Sequence, residues 1–225
     1  MQYYVIPPDH NAEFVAAMEH VLEVYEMPHD PEIPVVAMDE QPVQLFKEIR
    51  RPIPARRCHA RRVDYEYERA GVASLFMFTS PLERWRRVSV RERRTKVDWA
   101  HEVKYLLDVD FPLVKKVILV CDNLNTHTAG AFYEAFTPSV ARQLVKRLEF
   151  VYTPKHGSWL NVAENDLSSL TVQCVKGVRF GTIEELRAAV EAWAAACNEK
   201  LKGIQWQFNV EKARAKLKTL YPIIE

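Results

Sequence analysis

The spacing of apolar residues along the chain predicts helices that alternate with strands. From Phe14 to Tyr25, apolar residues recur every three or four positions, which is the spacing of a helix with one buried face. A short apolar run rich in β-branched residues at 117–121 predicts a strand buried on both faces, and an apolar run at 34–39 predicts a second buried strand. A further strand is predicted at 148–153. This alternation is typical of a layered α/β domain.

The region between the first two of these strands predicts an antiparallel meander. Residues 41–61 contain prolines and predict an irregular segment, and Ala70-Gly71 predicts a turn. Apolar and polar residues alternate at 63–68 and at 85–93, as in strands with one exposed face, whereas 72–79 is strongly apolar. The predicted strands are 63–67, 72–79 and 85–93.

Helices are predicted over much of the remaining chain. One of them begins at Ser158, with Leu160, Ala163 and Leu167 on its apolar face and Glu164 beside that face, about two turns in. The others are predicted at about 96–108, 129–136, 139–147, 183–199 and 210–219.

Composition places the chain among globular proteins. Of its 225 residues, 48% are hydrophobic and 27% are charged, which excludes wholesale disorder. The four cysteines form no CxxC pair, so a zinc site or a disulfide framework is not expected, and a reducing cytoplasm fits. The start of the chain predicts no signal peptide, and no apolar run approaches the roughly 18 residues of a membrane helix. We therefore expect a cytoplasmic protein without membrane contact.

Charge is distributed unevenly along the chain, although the net charge is only +1. Residues 1–49 carry ten acidic residues against one lysine, whereas residues 50–96 carry fourteen basic residues against five acidic ones. Arginine side chains suit phosphate oxygens, so this basic segment predicts a DNA-binding surface. The alternative is a solvated face that balances the acidic N-terminal region. The residues predicted to contact DNA here are Arg56, Arg57, Arg61 and Arg62.

Three carboxylates stand where the predicted elements would bring them together. Asp39 and Asp122 end two buried strands, and Glu164 lies on the following helix. Because clustered carboxylates repel one another unless a cation lies among them, their pattern predicts a metal site. Oxygen ligands without nearby cysteine or histidine clusters favour Mg²⁺ or Mn²⁺. A pair of such ions, about 3.5–4 Å apart, supports phosphoryl transfer.

These residues lie within three sequence motifs that resemble the signature blocks of DDE transposases. The motifs are DEQP at 39–42, DNLNTH at 122–127 and HGSWLNVAE at 156–164, and the similarity is greatest to the bacterial insertion-sequence branch of the mariner superfamily. The resemblance covers nearly the whole chain, from Pro7 to Tyr221. One departure is Asn165, where the family usually has an apolar residue.

The resemblance implies a fold and an activity. The fold would be a ribonuclease-H-like mixed sheet, an antiparallel meander plus parallel strands, flanked by helices. Asp39, Asp122 and Glu164 would be the catalytic triad and would bind two Mg²⁺ ions, with Mn²⁺ as a substitute. The enzyme would cut DNA to leave a 3′ hydroxyl and transfer that strand to target DNA, with a preference for TA dinucleotides. Its partners would be double-stranded transposon ends, target DNA and a second copy of the chain.

Several polar residues near the triad are candidates for supporting roles. Lys155 is a candidate phosphate contact, and Asn123 could hydrogen-bond Asp122 or a phosphate. His127 and His156 could orient a phosphate or simply stabilise their loops, and for His127 the structural role is favoured because histidine is a poor Mg²⁺ ligand. Glu40 is expected to point away from the site, because successive strand side chains face opposite sides of a sheet.

The expected organisation is a connector and amphipathic helix at 1–30, a catalytic domain at 31–200 and a helical extension at 201–225. Family members usually carry helix-turn-helix domains before the catalytic domain, and residues 9–26 predict only one helix, with an acidic polar face. We therefore expect this chain by itself to bind DNA with little preference for transposon ends.

Two other functions fit the sequence less well. A catalytically idle DNA-binding or assembly module derived from a transposase is disfavoured because all three acidic residues are present. A phosphatase with an aspartyl nucleophile would need an aspartate two residues after Asp39, where the chain has Gln41.

Overall fold

A five-stranded mixed sheet forms the centre of the structure, a computed structural model that describes residues 11–60, 62–201, 203–204 and 206–223. The strands lie in the order β3-β2-β1-β4-β5. The three strands β1, β2 and β3 form an antiparallel meander, while β4 runs parallel to both β1 and β5. The predicted ribonuclease-H-like mixed sheet is therefore confirmed. The strands are β1 (Val35–Glu48), β2 (Tyr67–Ser80), β3 (Trp85–Arg91), β4 (Val117–Cys121) and β5 (Leu148–Tyr152).

Seven α-helices flank the sheet in the described part of the chain. The first begins after Asn11, whose side-chain oxygen accepts a hydrogen bond from the Phe14 backbone N–H at 2.9 Å and so caps the helix. None of the described helices is long and apolar enough to cross a membrane. The helices are α1 (Ala12–Glu26), α2 (Lys96–Tyr105), α3 (Ala129–Ala135), α4 (Pro138–Lys146), α5 (Ala163–Leu170), α6 (Ile183–Glu199) and α7 (Val210–Lys216).

Shorter helical turns extend some of these elements. A π-helical turn follows α2 at Leu106–Asp110 and another follows α5 at Thr171–Val175. A 3₁₀ turn, Ser158–Leu160, precedes α5, and a second one, Lys218–Leu220, follows α7.

The sheet separates two hydrophobic cores. Val35 and Ala37 of β1 belong to the core that contains residues of α1, α5 and α6. Val36 and Met38 belong to the opposite core, which contains residues of α2, α3 and α4. Because side chains alternate along a strand, β1 is buried on both faces, as its unbroken apolar run predicts.

The β1–β2 hairpin corrects the prediction for residues 41–71. Residues 41–48 are not irregular but continue β1, with Val43 and Leu45 buried. Gly71 lies inside β2 with φ of 102° rather than in a turn, and the Gln44 side-chain amide donates to its carbonyl at 2.5 Å. The predicted strand at 63–67 is also wrong, since β2 begins only at Tyr67. Long-range pairing with β2 overrides the local turn signals.

The predicted helix start at Ser158 is also wrong. The 3₁₀ turn ends at Leu160, and α5 begins only at Ala163. The Asn161 side-chain oxygen accepts from the Ala163 backbone N–H at 3.1 Å, so it satisfies an amide at the helix start. Glu164 therefore lies in the first turn of α5 rather than about two turns in.

Candidate active site

Strand alternation brings the three predicted carboxylates to one side of the sheet. The parallel pairing of β1 with β4 ends at Ala37 and Val120, and both of these side chains belong to the core beneath α5. Asp39 and Asp122 each follow two residues later, just past this parallel pairing, and so share that face, although β1 itself continues to Glu48. Glu164 extends from the first turn of α5 on the same side. Crevices of this kind, at the carboxyl ends of strands in open α/β sheets, are where ligands bind.

The environment of Asp39 reveals electrostatic coupling among these acids. Burial is the largest cause that raises the pKa of Asp39, and the negative charges of Glu164, Asp122 and Glu40 raise it further. The Glu40 backbone N–H donates to Asp39 Oδ1 at 2.7 Å and opposes the rise, yet the pKa still reaches about 7. The charges of Asp122 and Glu164 thus lie close enough to Asp39 to disfavour its ionised form.

A hard divalent cation fits the chemistry of this donor set. One oxygen of Asp122, Oδ1, is shielded from solvent, and His127 Nδ1 lies 2.5 Å from it. Across the described residues, no three Asp, Glu, His or Cys side chains are placed so that together they could hold a metal ion. Mg²⁺ keeps several waters and often takes only one or two protein carboxylates together with substrate phosphates, so an open set of carboxylates suits it.

A fourth acid, Glu40, is joined to the site through His127. The His127 Nδ1 atom lies 2.5 Å from Asp122 Oδ1, and its Nε2 atom lies 3.1 Å from Glu40 Oε1. The imidazole is 1% exposed and stacks on Trp99 with 5.3 Å between ring centroids. The Tyr152 hydroxyl donates to the His127 carbonyl at 2.8 Å, so the loop backbone is held as well as the ring.

These contacts determine the charge of His127. Burial alone would lower the pKa of His127, but hydrogen bonds with Asp122, Cys121 and Glu40 raise it to about 11. The imidazolium therefore persists at neutral pH and offsets part of the negative charge on Asp122 and Glu40.

Sequence reasoning missed the contact between Glu40 and His127. Glu40 does point away from the face that carries Asp39, as alternation predicts, but its side chain is only 5% exposed and contacts His127. It lies on the same face as Val36 and Met38, the face beside α2 and α3. The available signal was a carboxylate on the buried opposite face together with a histidine five residues after Asp122.

The predicted DNA contacts lie in a separate, exposed element. Residues 49–66, which we call the basic arm, connect β1 to β2 and contain a small hairpin closed by bridges between Ile53 and Arg62 and between Arg56 and His59. The Arg56, Arg57 and Arg62 side chains are exposed. Arg61 lies outside the described residues.

The base of the arm is held firmly. Arg179 Nη1 donates to Glu48 Oε2 and to the Asp64 carbonyl, each at 2.8 Å. Its guanidinium also lies 5.1 Å from the centre of the Tyr67 ring. Arg179 therefore holds together the two ends of the arm, where it joins β1 and β2.

The remaining supporting candidates are exposed to solvent. Asn123 lies in the loop after β4, and Lys155 and His156 form a turn between β5 and the 3₁₀ turn. His156 adopts φ of 66°, and the Gly157 N–H donates to the Pro154 carbonyl at 2.8 Å, which closes this turn. Of the predicted supporting residues, only His127 is buried against the triad.

Comparison with known proteins relates the chain to one family. Residues 34–187, well over half of the chain, match the profile of the family described as DDE superfamily endonuclease. No curated protein matches the sequence.

Several solved structures share the fold. The Mos1 mariner paired end complex with Mn superposes with a TM-score of 0.54 at 16% identity, covering 87% of this chain and 60% of that one. The Mos1 strand transfer complex superposes with a TM-score of 0.57 at 15% identity, covering 87% of this chain and 59% of that one. The mariner Mos1 paired end complex with Mg superposes with a TM-score of 0.56 at 14% identity, covering 100% of this chain and 67% of that one. This chain thus spans about 60% of the length of the first two Mos1 chains.

Proposed function

Because the chain belongs to the DDE superfamily of endonucleases, we propose that it is the catalytic domain of a DNA transposase. It would cut DNA by metal-dependent phosphoryl transfer and join the resulting 3′ hydroxyl to target DNA. The main support is the shared face of Asp39, Asp122 and Glu164, where two acids lie just past the paired stretch of two parallel strands and the third lies in the first turn of α5. We also propose that it belongs to the bacterial insertion-sequence branch of the mariner superfamily.

In this proposal the triad would hold two Mg²⁺ ions, with Mn²⁺ as a substitute. When bound, the cations would stabilise the charge that develops on the attacking and leaving oxygens of the phosphodiester. Asp39 would have to release its proton before it could bind a cation, because its pKa is raised to about 7. His127 and Glu40 would hold Asp122 in a single orientation.

The DNA would be held mainly through its phosphates. Arg56, Arg57 and Arg62 project from the basic arm, and Lys155 is exposed at the turn before α5. Contacts of this kind position DNA without reading its sequence. The proposed partners are transposon ends, target DNA and a second copy of the chain.

A nicking assay on supercoiled plasmid tests the proposal. The parent chain should nick DNA in Mg²⁺ or Mn²⁺ but not in EDTA. The Asp39→Asn, Asp122→Asn and Glu164→Gln variants should each lose at least about a hundredfold in rate, because every one removes a cation ligand. Glu23→Gln, an exposed acid on α1, is the matched control and should keep the parent rate.

Two results would contradict the proposal. DNA binding without metal-dependent nicking would identify an idle DNA-binding module instead. Equal nicking by the parent and the three triad variants would show that the activity comes from elsewhere.

A further inference from the structure

One buried side chain connects the residues that precede two of the triad acids. Asn161 is 2% exposed and lies between the 3₁₀ turn and α5. Its Nδ2 atom donates to the Met38 carbonyl at 2.8 Å, and its Oδ1 atom accepts from the Ala163 N–H at 3.1 Å. Met38 precedes Asp39 and Ala163 precedes Glu164, so a single amide bridges β1 and α5 at the site.

The surroundings require an amide at this position. Met38 lies one residue beyond the last pair between β1 and β4, and Ala163 is the first residue of α5, where backbone N–H groups have no partner within the helix. The Met38 carbonyl needs a hydrogen-bond donor, and the Ala163 N–H needs an acceptor. A carboxylate would place negative charge against the Met38 carbonyl, and an apolar side chain would leave two buried backbone groups unsatisfied.

Other contacts hold later parts of the same helical segment. Asp166 accepts from Thr79 Oγ1 at 2.7 Å and from Arg86 Nε at 3.1 Å. Gln41 exchanges hydrogen bonds with Thr171 in the π-helical turn after α5. Asn161 differs from both because it acts at the turn that carries Glu164 and bonds to the strand residue beside Asp39.

We propose that Asn161 is a positioning residue that sets the separation of Asp39 and Glu164 and thereby their joint affinity for a divalent cation. This inference rests on the proposed function. Substitution of residues that orient metal ligands typically weakens metal binding by 10- to 100-fold, so the effect should be large enough to measure.

The test compares Asn161→Ala and Asn161→Ser with two controls. A serine hydroxyl is too short to bridge both backbone groups, and this second variant serves if the alanine variant does not fold. Asn165→Ala removes an exposed asparagine from the same helical turn. Val190→Ala removes a fully buried side chain from α6, which packs against β3, and controls for general loss of stability.

Mn²⁺ binding to each protein without DNA is measured by calorimetry, and amide hydrogen exchange is measured in EDTA. Both Asn161 variants should raise the half-saturating Mn²⁺ concentration about tenfold or more, and exchange at Ala163 should accelerate about tenfold or more. Both controls should keep the parent Mn²⁺ affinity and the parent exchange at Ala163.

Parent-like Mn²⁺ affinity in the Asn161 variants would overturn the inference, as would an equal loss in Val190→Ala. If the parent itself binds no Mn²⁺, the proposed function fails instead. In that case the exchange at Ala163 still decides the positioning role, and unchanged exchange in the Asn161 variants would overturn it.

Discussion

Asp122 Oδ1 lies 2.5 Å from His127 Nδ1, so a triad carboxylate forms an ion pair with a buried imidazolium. The other ring nitrogen contacts Glu40, and the ring stacks on Trp99. The histidine therefore connects the face of the sheet that carries Asp39 with the opposite face, where Glu40 lies.

Replacement of His127 by alanine should destabilise the fold in a pH-dependent way. Loss of this buried partner should lower the free energy of unfolding by about 3 kcal/mol at pH 6. Since the folded pKa is raised from 6.5 to about 11, the contribution of His127 is fully present below about pH 6.5 and is lost as pH rises through 11. Urea denaturation of the parent and of His127→Ala at pH 6 and pH 9.5 should therefore show a smaller difference in unfolding free energy at the higher pH.

The matched control for that experiment is His59→Ala, an exposed histidine on the basic arm. It should change stability by less than about 0.5 kcal/mol at either pH. A difference between parent and His127→Ala that stays constant from pH 6 to 9.5 would contradict the charge assigned to His127.

Asp39→Asn should stabilise the metal-free protein above neutral pH. The folded pKa of Asp39 lies at about 7, above its usual value of 3.8, so the stability it contributes is full below about pH 4 and is lost as pH rises through 7. Asparagine carries no charge and avoids this loss. In EDTA at pH 8, the variant should exceed the parent by about 1–2 kcal/mol in unfolding free energy.

Mg²⁺ should reverse that order, because it binds the folded parent and not the variant. Asp30→Asn, an exposed aspartate, should follow the parent in both conditions. A variant that is less stable than the parent in EDTA at pH 8 would contradict the crowding of charges around Asp39.

Charge reversal of the basic arm should weaken DNA binding without unfolding the protein. Arg56, Arg57 and Arg62 are all exposed, so their replacement by glutamate should leave the melting temperature within a few degrees of the parent value. Each phosphate contact contributes about 0.9 to the salt slope, so the slope of log K against log salt should fall by about 2–3. Fluorescence anisotropy on several unrelated duplexes should show the same loss for each.

The control reverses three exposed basic residues elsewhere, Arg142, Lys146 and Lys218, and so makes the same change in net charge. If both triple variants lose affinity equally, the effect reflects net charge and the arm has no special role.

Removal of one partner from the buried ion pair between Asp166 and Arg86 should destabilise the fold strongly. These side chains are 8% and 4% exposed, with 3.1 Å between Asp166 Oδ2 and Arg86 Nε. Asp166→Ala removes the buried carboxylate and should cost about 3–5 kcal/mol in unfolding free energy. Asp108→Ala breaks an exposed pair with Lys104 and should cost less than about 1 kcal/mol. Equal losses in the two variants, measured by urea denaturation, would contradict this assignment.

The central strands and the triad face could be predicted from sequence because both depend on local patterns. The runs at 34–39, 117–121 and 148–153 coincide with the start of β1 and with all of β4 and β5. Asp39 ends the first of these runs and Asp122 directly follows the second, and the register of β1 with β4 then places both on a common face. The role of these residues as cation ligands stays a prediction.

Other features depend on contacts between distant residues, which a local pattern does not contain. The prolines in 41–61 and Ala70-Gly71 indicate turns, yet pairing between β1 and β2 extends the strands through Pro42 and Gly71. The break before α5 depends on the bond from Asn161 to Met38, which are 123 positions apart. The contact between Glu40 and His127 likewise spans 87 positions and both faces of the sheet.

Side chains alternate strictly between the two faces along β1, so this strand cannot gain or lose a single residue before Asp39 without moving that acid. A single residue inserted between Val35 and Asp39 would move Asp39 to the opposite face of the sheet, into the core beside α2. The basic arm, by contrast, lies beyond the last pair of β1 with β2, between Glu48 and Tyr67, and its residues are mostly exposed. Insertions and deletions among related chains should therefore accumulate in 49–66 and be absent from 35–39. The same arm is the place where a foreign segment could be grafted without disturbing the acids.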